Sequence, residues 1–342
     1  MITTMNNAAV SLIQSDIAEK WQQILADLIT EPKELLEILQ LDPTGNPLGE
    51  TGLAGFSMKV PRPFAARMEK GNWADPLLRQ VWPDRNEADS GDGLVSDPLQ
   101  EQQFNVAPGV LHKYSGRVLL TAAPHCAIHC RYCFRRHFDY AANTLSRSQW
   151  QQSIDQIAAD PSIHEVILSG GDPLANSDRQ LDWLLGRLEA LPQLTTLRIH
   201  TRLPVVIPQR VTAALVARLA RSRLRAVLVV HVNHHQELDQ ACQDNFETLA
   251  ANGITLLNQA VILAGVNDSY PALKRLGEAL FQAHVLPYYL HLPDKVAGTA
   301  HFQVDASRAR DLIAQLRASL PGYLVPRLVR EEPGQASKSP LA

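Results

Sequence analysis

After Arg117 the sequence alternates strictly between short apolar runs and longer amphipathic segments, and this alternation leaves few folds open to the chain. Six runs rich in Val, Ile and Leu predict β-strands at residues 117–122, 165–168, 196–200, 226–232, 255–263 and 286–292. Helical periodicity follows each strand, at residues 148–159, 178–191, 208–220, 237–251, 270–283 and 306–318. Gly253 stands where a glycine is expected at a helix C-terminus. Repeated βα units of this kind predict a parallel sheet covered by helices.

The hydrophobic pattern does not distinguish a barrel from an open, doubly wound sheet, although six units are fewer than the eight of a complete barrel. The preceding residues predict helices instead. We expect two short helices within residues 17–41, the second starting near Pro32, and helical turns at 63–70 and 76–81, followed by a loop over 88–98. The interpretation is an α/β chain with a helical N-terminal region at 1–105, a partial (βα)6 barrel at 106–330 and a loop-like C-terminal tail at 331–342.

Composition and charge narrow the classes of function. Hydrophobic residues make up 45% of the 342 residues and charged residues 20%, which is typical of a folded globular chain. The net charge of −3 provides no general positive field for nucleic acid. The N-terminus lacks the pattern of a secretion signal, and no apolar run approaches the ~18 residues that a membrane span needs. We therefore expect a cytoplasmic protein whose function requires neither nucleic acid nor a membrane.

Three of the four cysteines cluster directly after the first predicted strand, at Cys126, Cys130 and Cys133. In parallel α/β folds, ligands bind at the carboxyl ends of the strands, so this cluster lies where a site is expected. The spacing i, i+4, i+7 also matches one face of a buried helix, which is the competing interpretation.

The arginines interspersed with these cysteines favour a metal site over core packing. Arg131, Arg135 and Arg136 would be poor members of a buried stripe, whereas clustered thiolates need positive charge nearby. Zinc is one candidate, because a neighbouring histidine could complete a tetrahedral site; the choices are His125, His129 and His137. An iron–sulfur cube is the other candidate, and three cysteine ligands would leave one iron open to a substrate.

Polar residues also follow the later strands. The segment Ser169, Gly170, Gly171 and Asp172 follows the second strand, and its glycines would let the main chain approach a ligand closely. The same tetrapeptide also suits an ordinary strand-to-helix turn. Four further polar side chains lie at the ends of predicted strands: His231, Asn233, His234 and Gln259. We expect them either to line a pocket or to be buried structural groups with hydrogen-bond partners.

The cysteine spacing at the end of the first strand of a βα array resembles that of the radical S-adenosylmethionine superfamily. Further motifs narrow the resemblance to the lysine 2,3-aminomutases, over residues 60–338: Arg117-Val-Leu-Leu, Cys126 to Arg136, Ser169 to Asp172, Arg202 to Pro208, His231 to His234, Asn258-Gln259, Pro287-Tyr-Tyr, His301-Phe302 and Gly322-Tyr323. The chain ends soon after Lys338, without the metal-binding extension of the clostridial enzymes, and so most resembles the bacterial enzymes that supply (R)-β-lysine for elongation factor P. The resemblance implies a partial TIM-like barrel of the radical S-adenosylmethionine type.

The resemblance also implies three cofactors, namely a 4Fe–4S cluster, S-adenosylmethionine and pyridoxal 5′-phosphate. In this family the three cysteines hold the cluster, whose open iron chelates S-adenosylmethionine. Reductive cleavage of S-adenosylmethionine, with an electron from an external donor, gives a 5′-deoxyadenosyl radical. Residues 169–172 correspond to the segment near the methionyl amine, and His231 and Gln259 correspond to cofactor-binding positions.

The remaining site residues implied by the resemblance concern pyridoxal phosphate and the substrate. Lys338 corresponds to the lysine that forms the Schiff base, and Arg117 to a residue that contacts the cofactor phosphate. Arg135 corresponds to the residue that pairs with the substrate carboxylate. Asp294 and Glu331 correspond to the two acidic residues that hold the distal ammonium of lysine, the second being an aspartate in the classical enzyme.

The function that follows is an isomerase converting L-lysine, (S)-α-lysine, to (R)-β-lysine. The adenosyl radical removes a hydrogen from C3 and the pyridoxal imine carries the nitrogen across, chemistry that ordinary side chains do not provide. The expected context is the modification of elongation factor P, together with its lysyl-transferring ligase. The alternative is a zinc-stabilised aminomutase-like binding module without catalysis, acting as a translation-factor adaptor.

Overall fold

The computed structural model describes residues 21–47, 49, 56–89, 91, 93–138 and 145–342. The described chain is built around a ten-stranded sheet whose strands are hydrogen-bonded in their chain order. The strands are β1 (Asn105–Ala107), β2 (Val110–Tyr114), β3 (Arg117–Ala123), β4 (Glu165–Gly170), β5 (Thr196–Thr201), β6 (Arg225–Val230), β7 (Thr255–Val261), β8 (Leu286–His291), β9 (Arg327–Arg330) and β10 (Ser339–Pro340).

Strands β3 to β9 run parallel, and antiparallel strands flank them on both sides. Each parallel crossover carries a helix, which explains why the strand order follows the chain order. The first and last strands do not pair with each other, so the sheet curves without closing. The observed fold is therefore the partial barrel predicted from the sequence. It contains four strands beyond the six predicted ones, namely β1, β2, β9 and β10.

Several of the helices begin at a side chain that caps their first turn. The bounds of the helices are α1 (Pro32–Leu39), α2 (Arg62–Ala65), α3 (Pro76–Arg79), α4 (Arg147–Ala159), α5 (Asp178–Glu189), α6 (Leu203–Val206), α7 (Ala213–Ala220), α8 (Gln240–Ala251), α9 (Tyr270–Gln282) and α10 (Ala306–Ser319). The hydroxyls of Ser146, Ser177 and Ser269 accept hydrogen bonds from the first turns of α4, α5 and α9. Gly253 has the expected positive φ, 79°, and its N–H donates to the main-chain oxygen of Ala250.

The core is continuous from the barrel into the N-terminal region. Strand side chains such as Leu168 and Leu228 are fully buried in one cluster with Phe64 and Leu77 from the helical segments before the sheet. Residues 21–26 are helical and α1 begins at the expected Pro32, whereas residues 17–20 of the predicted first helix lie outside the described residues. Within the described ranges, every helix is too short or too polar to traverse a lipid bilayer.

All six predicted strands are confirmed, within about two residues at their ends. Two helix predictions were wrong at their starts: residues 208–210 and 235–237 form separate 3₁₀ turns, and α7 and α8 begin only after them, at Ala213 and Gln240. The prediction of a tail that is all loop was also wrong, because Ser339 and Pro340 pair with β9 as strand β10.

Candidate active site

The three clustered cysteines lie on the loop between β3 and residue 138, at the carboxyl end of the parallel sheet. Main-chain hydrogen bonds attach this cysteine loop to the N-terminal region: His129 N donates to the oxygen of Lys59 (3.0 Å), and Arg131 N donates to that of Gln80 (2.8 Å). Within the loop, Cys133 N donates to the oxygen of Cys130 at 3.0 Å. The loop is therefore held by residues far away in the sequence.

The prediction that the loop arginines are unsuited to burial was wrong. Arg131, Arg135 and Arg136 are all buried, each with a relative exposure of 8% or less. Glu87 pairs with both Arg131 and Arg136, and Glu101 binds Arg135 through two hydrogen bonds of 2.7 and 2.8 Å. Both carboxylates come from the N-terminal region, so the arginines are stabilised by acids that local sequence does not reveal.

The three thiols of the cysteine loop differ from an ordinary core cysteine in their exposure and in their mutual influence. Cys126, Cys130 and Cys133 are partly exposed, whereas Cys242 is buried. Burial raises the pKa of Cys126 well above its usual value, and the charges of Asp172, Cys133 and Cys130 raise it further. Burial, then the charge of Cys130, raises the pKa of Cys133 to about 12. Because the three groups act on one another, their thiolate forms would need a bound cation to be stable together.

The arrangement of these donors bears on which metal would bind. In the described part of the chain, no group of three or more His, Cys, Asp or Glu side chains is gathered tightly enough to hold a single metal ion. A tetrahedral zinc site requires such convergence, with Zn–S distances of about 2.3 Å. An iron–sulfur cube does not, because each cysteine binds a different iron. Cys242 is separate from the loop: it is buried beside the main-chain oxygens of Pro204 and Val205.

The Ser169 to Asp172 segment ends β4 directly beside the cysteine loop. A β-carbon on Gly171 would lie 2.3 Å from the main-chain oxygen of His125, and Gly170 has a φ of +102°. Both glycines are therefore required for the loop and the strand end to pack this closely. Arg135 links the same two segments, because its Nη1 donates to Ser169 Oγ (3.3 Å) and to the oxygen of Gly170 (3.1 Å).

The carboxylate of Asp172 accepts hydrogen bonds from other groups of the protein. The carboxylate accepts hydrogen bonds from Thr201 Oγ1 (2.6 Å) and from the main-chain N–H groups of Arg202 (2.7 Å), Leu203 (2.9 Å) and Leu174 (3.0 Å). Burial raises its pKa, and these donors oppose the shift. Asp172 thus fixes the neighbouring strand ends at the mouth of the barrel.

The C-terminal tail brings Lys338 to the acidic residues predicted for the substrate site. The Lys338 ammonium forms an ion pair with Glu331 and lies 5.9 Å from the centroid of the Tyr289 ring. Glu331 also pairs with Lys113, at 3.4 Å. Asp294, in the loop after β8, lies in the same electrostatic environment as Glu331 and Lys338. The pairing of β10 with β9 holds the tail in this position.

The carboxyl groups of Asp294 and Glu331 have opposite pKa shifts. Burial raises the pKa of Asp294 to about 7, with a further contribution from the negative charge of Glu331. Burial would also raise the pKa of Glu331, but the charges of Lys338 and Lys113 outweigh it and lower that pKa to about 2. Glu331 is therefore ionised at neutral pH, while Asp294 is divided between its two forms.

Arg117 is connected to Glu331 and its neighbours through Tyr114. Its guanidinium lies 4.8 Å from the centroid of the Tyr114 ring, and both Glu331 and Arg117 act on the pKa of that phenol. Burial is the largest cause of the rise in the Tyr114 pKa, followed by Glu331. The structure thus brings Arg117 and Asp294 together with Glu331 and Lys338 of the C-terminal tail.

Two histidines near Lys338, of which His291 is buried and His200 is partly exposed, were missed by the sequence analysis. His200 and His291 lie at the carboxyl ends of β5 and β8, and Nε2 of each has no hydrogen-bond partner among the described atoms. His231, which was predicted, lies with its ring centroid 6.0 Å from that of His200. Burial lowers the pKa of all three, and the charge of Lys338 lowers them further. Two imidazole nitrogens without a partner, both under the influence of the Lys338 charge, are available to a polar ligand.

The other predicted pocket residues differ in how they are used. Asn233 is structural, because its Oδ1 accepts from the main-chain N–H of Val261 at 2.9 Å. His234 caps the 3₁₀ turn that follows it, accepting from Gln236 N. Gln259 lies within β7, where it is paired in register with Tyr289 of β8. Gln259 is thus adjacent to the ring that lies against Lys338.

The amino-acid sequence is similar to a known superfamily and to named enzymes. Residues 120–274 match the family model described as "Radical SAM superfamily". The L-lysine 2,3-aminomutase of Escherichia coli (strain K12) is 48% identical over 335 residues, covering 98% of each chain. The enzyme of the same name from Haemophilus influenzae is 46% identical, covering 94% of this chain and 95% of that one. That of Buchnera aphidicola subsp. Baizongia pistaciae is 41% identical, covering 95% and 96%.

Proposed function

This chain belongs to the L-lysine 2,3-aminomutase family of radical S-adenosylmethionine enzymes, and from that premise we propose that it converts L-lysine to (R)-β-lysine. Membership makes the chain an isomerase with a 4Fe–4S cluster, S-adenosylmethionine and pyridoxal phosphate as cofactors. The observation that supports this proposal most directly is that Lys338, Glu331 and Asp294 lie together. They lie at the mouth of the barrel that bears the cysteine loop.

The chain's own residues fit these cofactors. Cys126, Cys130 and Cys133 would hold the cluster, and the close packing at Gly171 would let main-chain groups reach S-adenosylmethionine. Lys338 would bind pyridoxal phosphate covalently. When bound, these groups supply a radical that removes hydrogen from the substrate and an electrophile that carries its nitrogen. The protein residues position the substrate and exclude water.

The substrate would be held at both ends. Glu331 and Asp294 offer carboxylates to the distal ammonium of lysine, which needs compensation when it enters a largely enclosed site. At the other end, Arg135 offers a guanidinium to the carboxylate. In the ligand-free chain Glu101 occupies two donors of Arg135, so binding of the substrate carboxylate exchanges one carboxylate for another at that position.

We propose that the product serves the modification of elongation factor P by a lysyl-transferring ligase. The resemblance of the motifs to the enzymes of that pathway supports this context, and so does a site bounded for one free amino acid. Deletion of the gene should leave elongation factor P without its β-lysyl mass increment, and added (R)-β-lysine should restore it. A deletion strain with normally modified factor would refute this context and leave the aminomutase reaction intact.

The reaction itself is tested with labelled lysine under anaerobic conditions. The reconstituted protein, supplied with S-adenosylmethionine, pyridoxal phosphate and a strong reductant, should release labelled (R)-β-lysine. Asp294→Asn and Glu331→Gln should raise KM for lysine while iron and pyridoxal contents stay at wild-type values. Asp311→Asn, which removes a carboxylate from the exposed face of α10, is the matched control. Unchanged turnover of lysine in both site variants would contradict the substrate assignment.

A further inference from the structure

Arg202 begins the segment Arg202 to Pro208 after β5, and neither substrate nor cofactor chemistry has given it a role. Its side chain is 6% exposed, and its guanidinium bridges two parts of the molecule. On one side, Nη1 donates to Cys130 Sγ (2.7 Å) and to the hydroxyl of Tyr132 (2.8 Å). On the other side, Nη2 donates to Gln80 Oε1 (2.7 Å) and to Glu237 Oε2 (2.9 Å).

Glu237, the acidic partner of Arg202, offsets only part of the Arg202 charge. Glu237 also accepts hydrogen bonds through Oε1 from the main-chain N–H groups of Asn233 (3.0 Å) and His234 (3.1 Å), and from Gln80 Nε2 (3.1 Å). Its negative charge is therefore distributed over several donors. The Nη1 edge of Arg202 is directed at a sulfur atom, in a dry interior where a charge acts strongly on its neighbours.

We propose that Arg202 is a positioning residue that raises the electron affinity of the cluster through Cys130. The inference rests on the proposed function, in which Cys130 is a cluster ligand. Reduction adds one electron to the oxidised [4Fe–4S]²⁺ state and gives [4Fe–4S]⁺, with the electron coming from a low-potential one-electron donor and no bond or proton exchanged. A fixed cation and an N–H···S hydrogen bond stabilise the more negative state more than the oxidised one.

The geometry also explains why arginine is required at this position. The planar guanidinium binds Cys130 with one nitrogen and Glu237 with the other, so that the charge is held beside the sulfur. A lysine carries a single nitrogen and cannot satisfy both sides at once. Substitution by lysine should therefore retain part of the effect, and substitution by glutamine, which removes the charge, should abolish it.

The test is an anaerobic redox titration of the cluster in the reconstituted full chain, followed by electron paramagnetic resonance and normalised to iron and sulfide content. At the wild-type midpoint potential, the ratio of reduced to oxidised cluster should fall about tenfold in Arg202→Gln, which corresponds to a midpoint about 59 mV lower. Arg202→Lys should show a smaller fall. Arg210→Gln is the matched control, since Arg210 is also buried but pairs with Asp178.

Each outcome separates this inference from the proposed function. Arg202→Gln that holds a full cluster and titrates at the wild-type potential would overturn the inference alone. If Arg202→Gln fails to retain iron, Arg202→Lys decides: a lowered potential supports the inference, and a wild-type potential overturns it. A wild-type chain that binds no iron after reconstitution would overturn the proposed function and the inference together.

Discussion

Replacing Asp294 by asparagine should stabilise the ligand-free chain at neutral and alkaline pH, although the same change weakens lysine binding. Asp294 is enclosed by protein and lies near Glu331, whose carboxylate is ionised. Ionisation of Asp294 is therefore unfavourable in the folded state until a cation arrives. Such a group is typical of a binding site, where stability is lower than packing alone would allow.

The magnitude follows from the pKa difference. The pKa of Asp294 is about 7 in the folded chain, against an ordinary value of 3.8, so the two differ by roughly three units. At about 1.4 kcal/mol per unit, ionisation destabilises the fold by about 4 kcal/mol. Because the folded pKa is raised, the stabilising contribution of the protonated group is complete below pH 3.8 and is lost as the pH rises through 7. The benefit of Asp294→Asn should grow over the same interval and level off above it.

The assay compares urea unfolding of the wild type and Asp294→Asn, without cofactors or lysine, from pH 5 to pH 8.5. The difference in unfolding free energy should increase by roughly 2–3 kcal/mol between pH 5 and pH 8. Any constant contribution of the amide cancels in this difference, and Asp311→Asn controls for the loss of one negative charge. A free-energy difference that stays flat across this range would refute the reasoning, whatever its absolute size.

Three further outcomes are expected. Iron content should collapse in Cys130→Ala and persist in Cys242→Ala, and the opposite pattern in iron analysis would exclude the cysteine loop as the cluster site. Borohydride reduction followed by peptide mapping should place the pyridoxyl adduct on Lys338, and an adduct on any other lysine would refute the proposed position of the cofactor. Gly171→Ala should weaken S-adenosylmethionine binding at least about tenfold in equilibrium dialysis, because the added β-carbon meets a main-chain oxygen of the cysteine loop. Gly186→Ala, which meets nothing within 4 Å, should bind normally.

The strands that local sequence predicted are those with continuous apolar runs. Residues 226–232 are nearly all Ala, Val and Leu, and a buried parallel strand needs this composition on both faces. Strand β9 has only Leu328 and Val329 between two arginines, and β10 consists of Ser339 and Pro340. Such short strands form because a neighbouring edge is available, which is information that the local pattern does not contain.

The cysteine loop was found from sequence because three chemically distinctive residues lie close together in the chain. Its supporting charges were not, because Glu87 and Glu101 precede it by dozens of residues and meet it only in the folded chain. The rule that polar residues at strand ends are candidates for the site selected His231. Applied evenly, it would also have selected His200 and His291, which lie at the carboxyl ends of β5 and β8.

The ion pair between Lys338 and Glu331 would link the affinities for the proposed cofactor and the proposed substrate. In the structure the Lys338 ammonium is paired with Glu331, the carboxylate that we propose for the substrate. If Lys338 commits its amine to the cofactor, as proposed, this ion pair is lost and Glu331 would accept the cationic end of lysine. Thermodynamic reciprocity then requires that lysine tighten the hold on the cofactor by the same factor by which the cofactor improves lysine binding. One carboxylate would thereby make the cofactor and the substrate bind cooperatively.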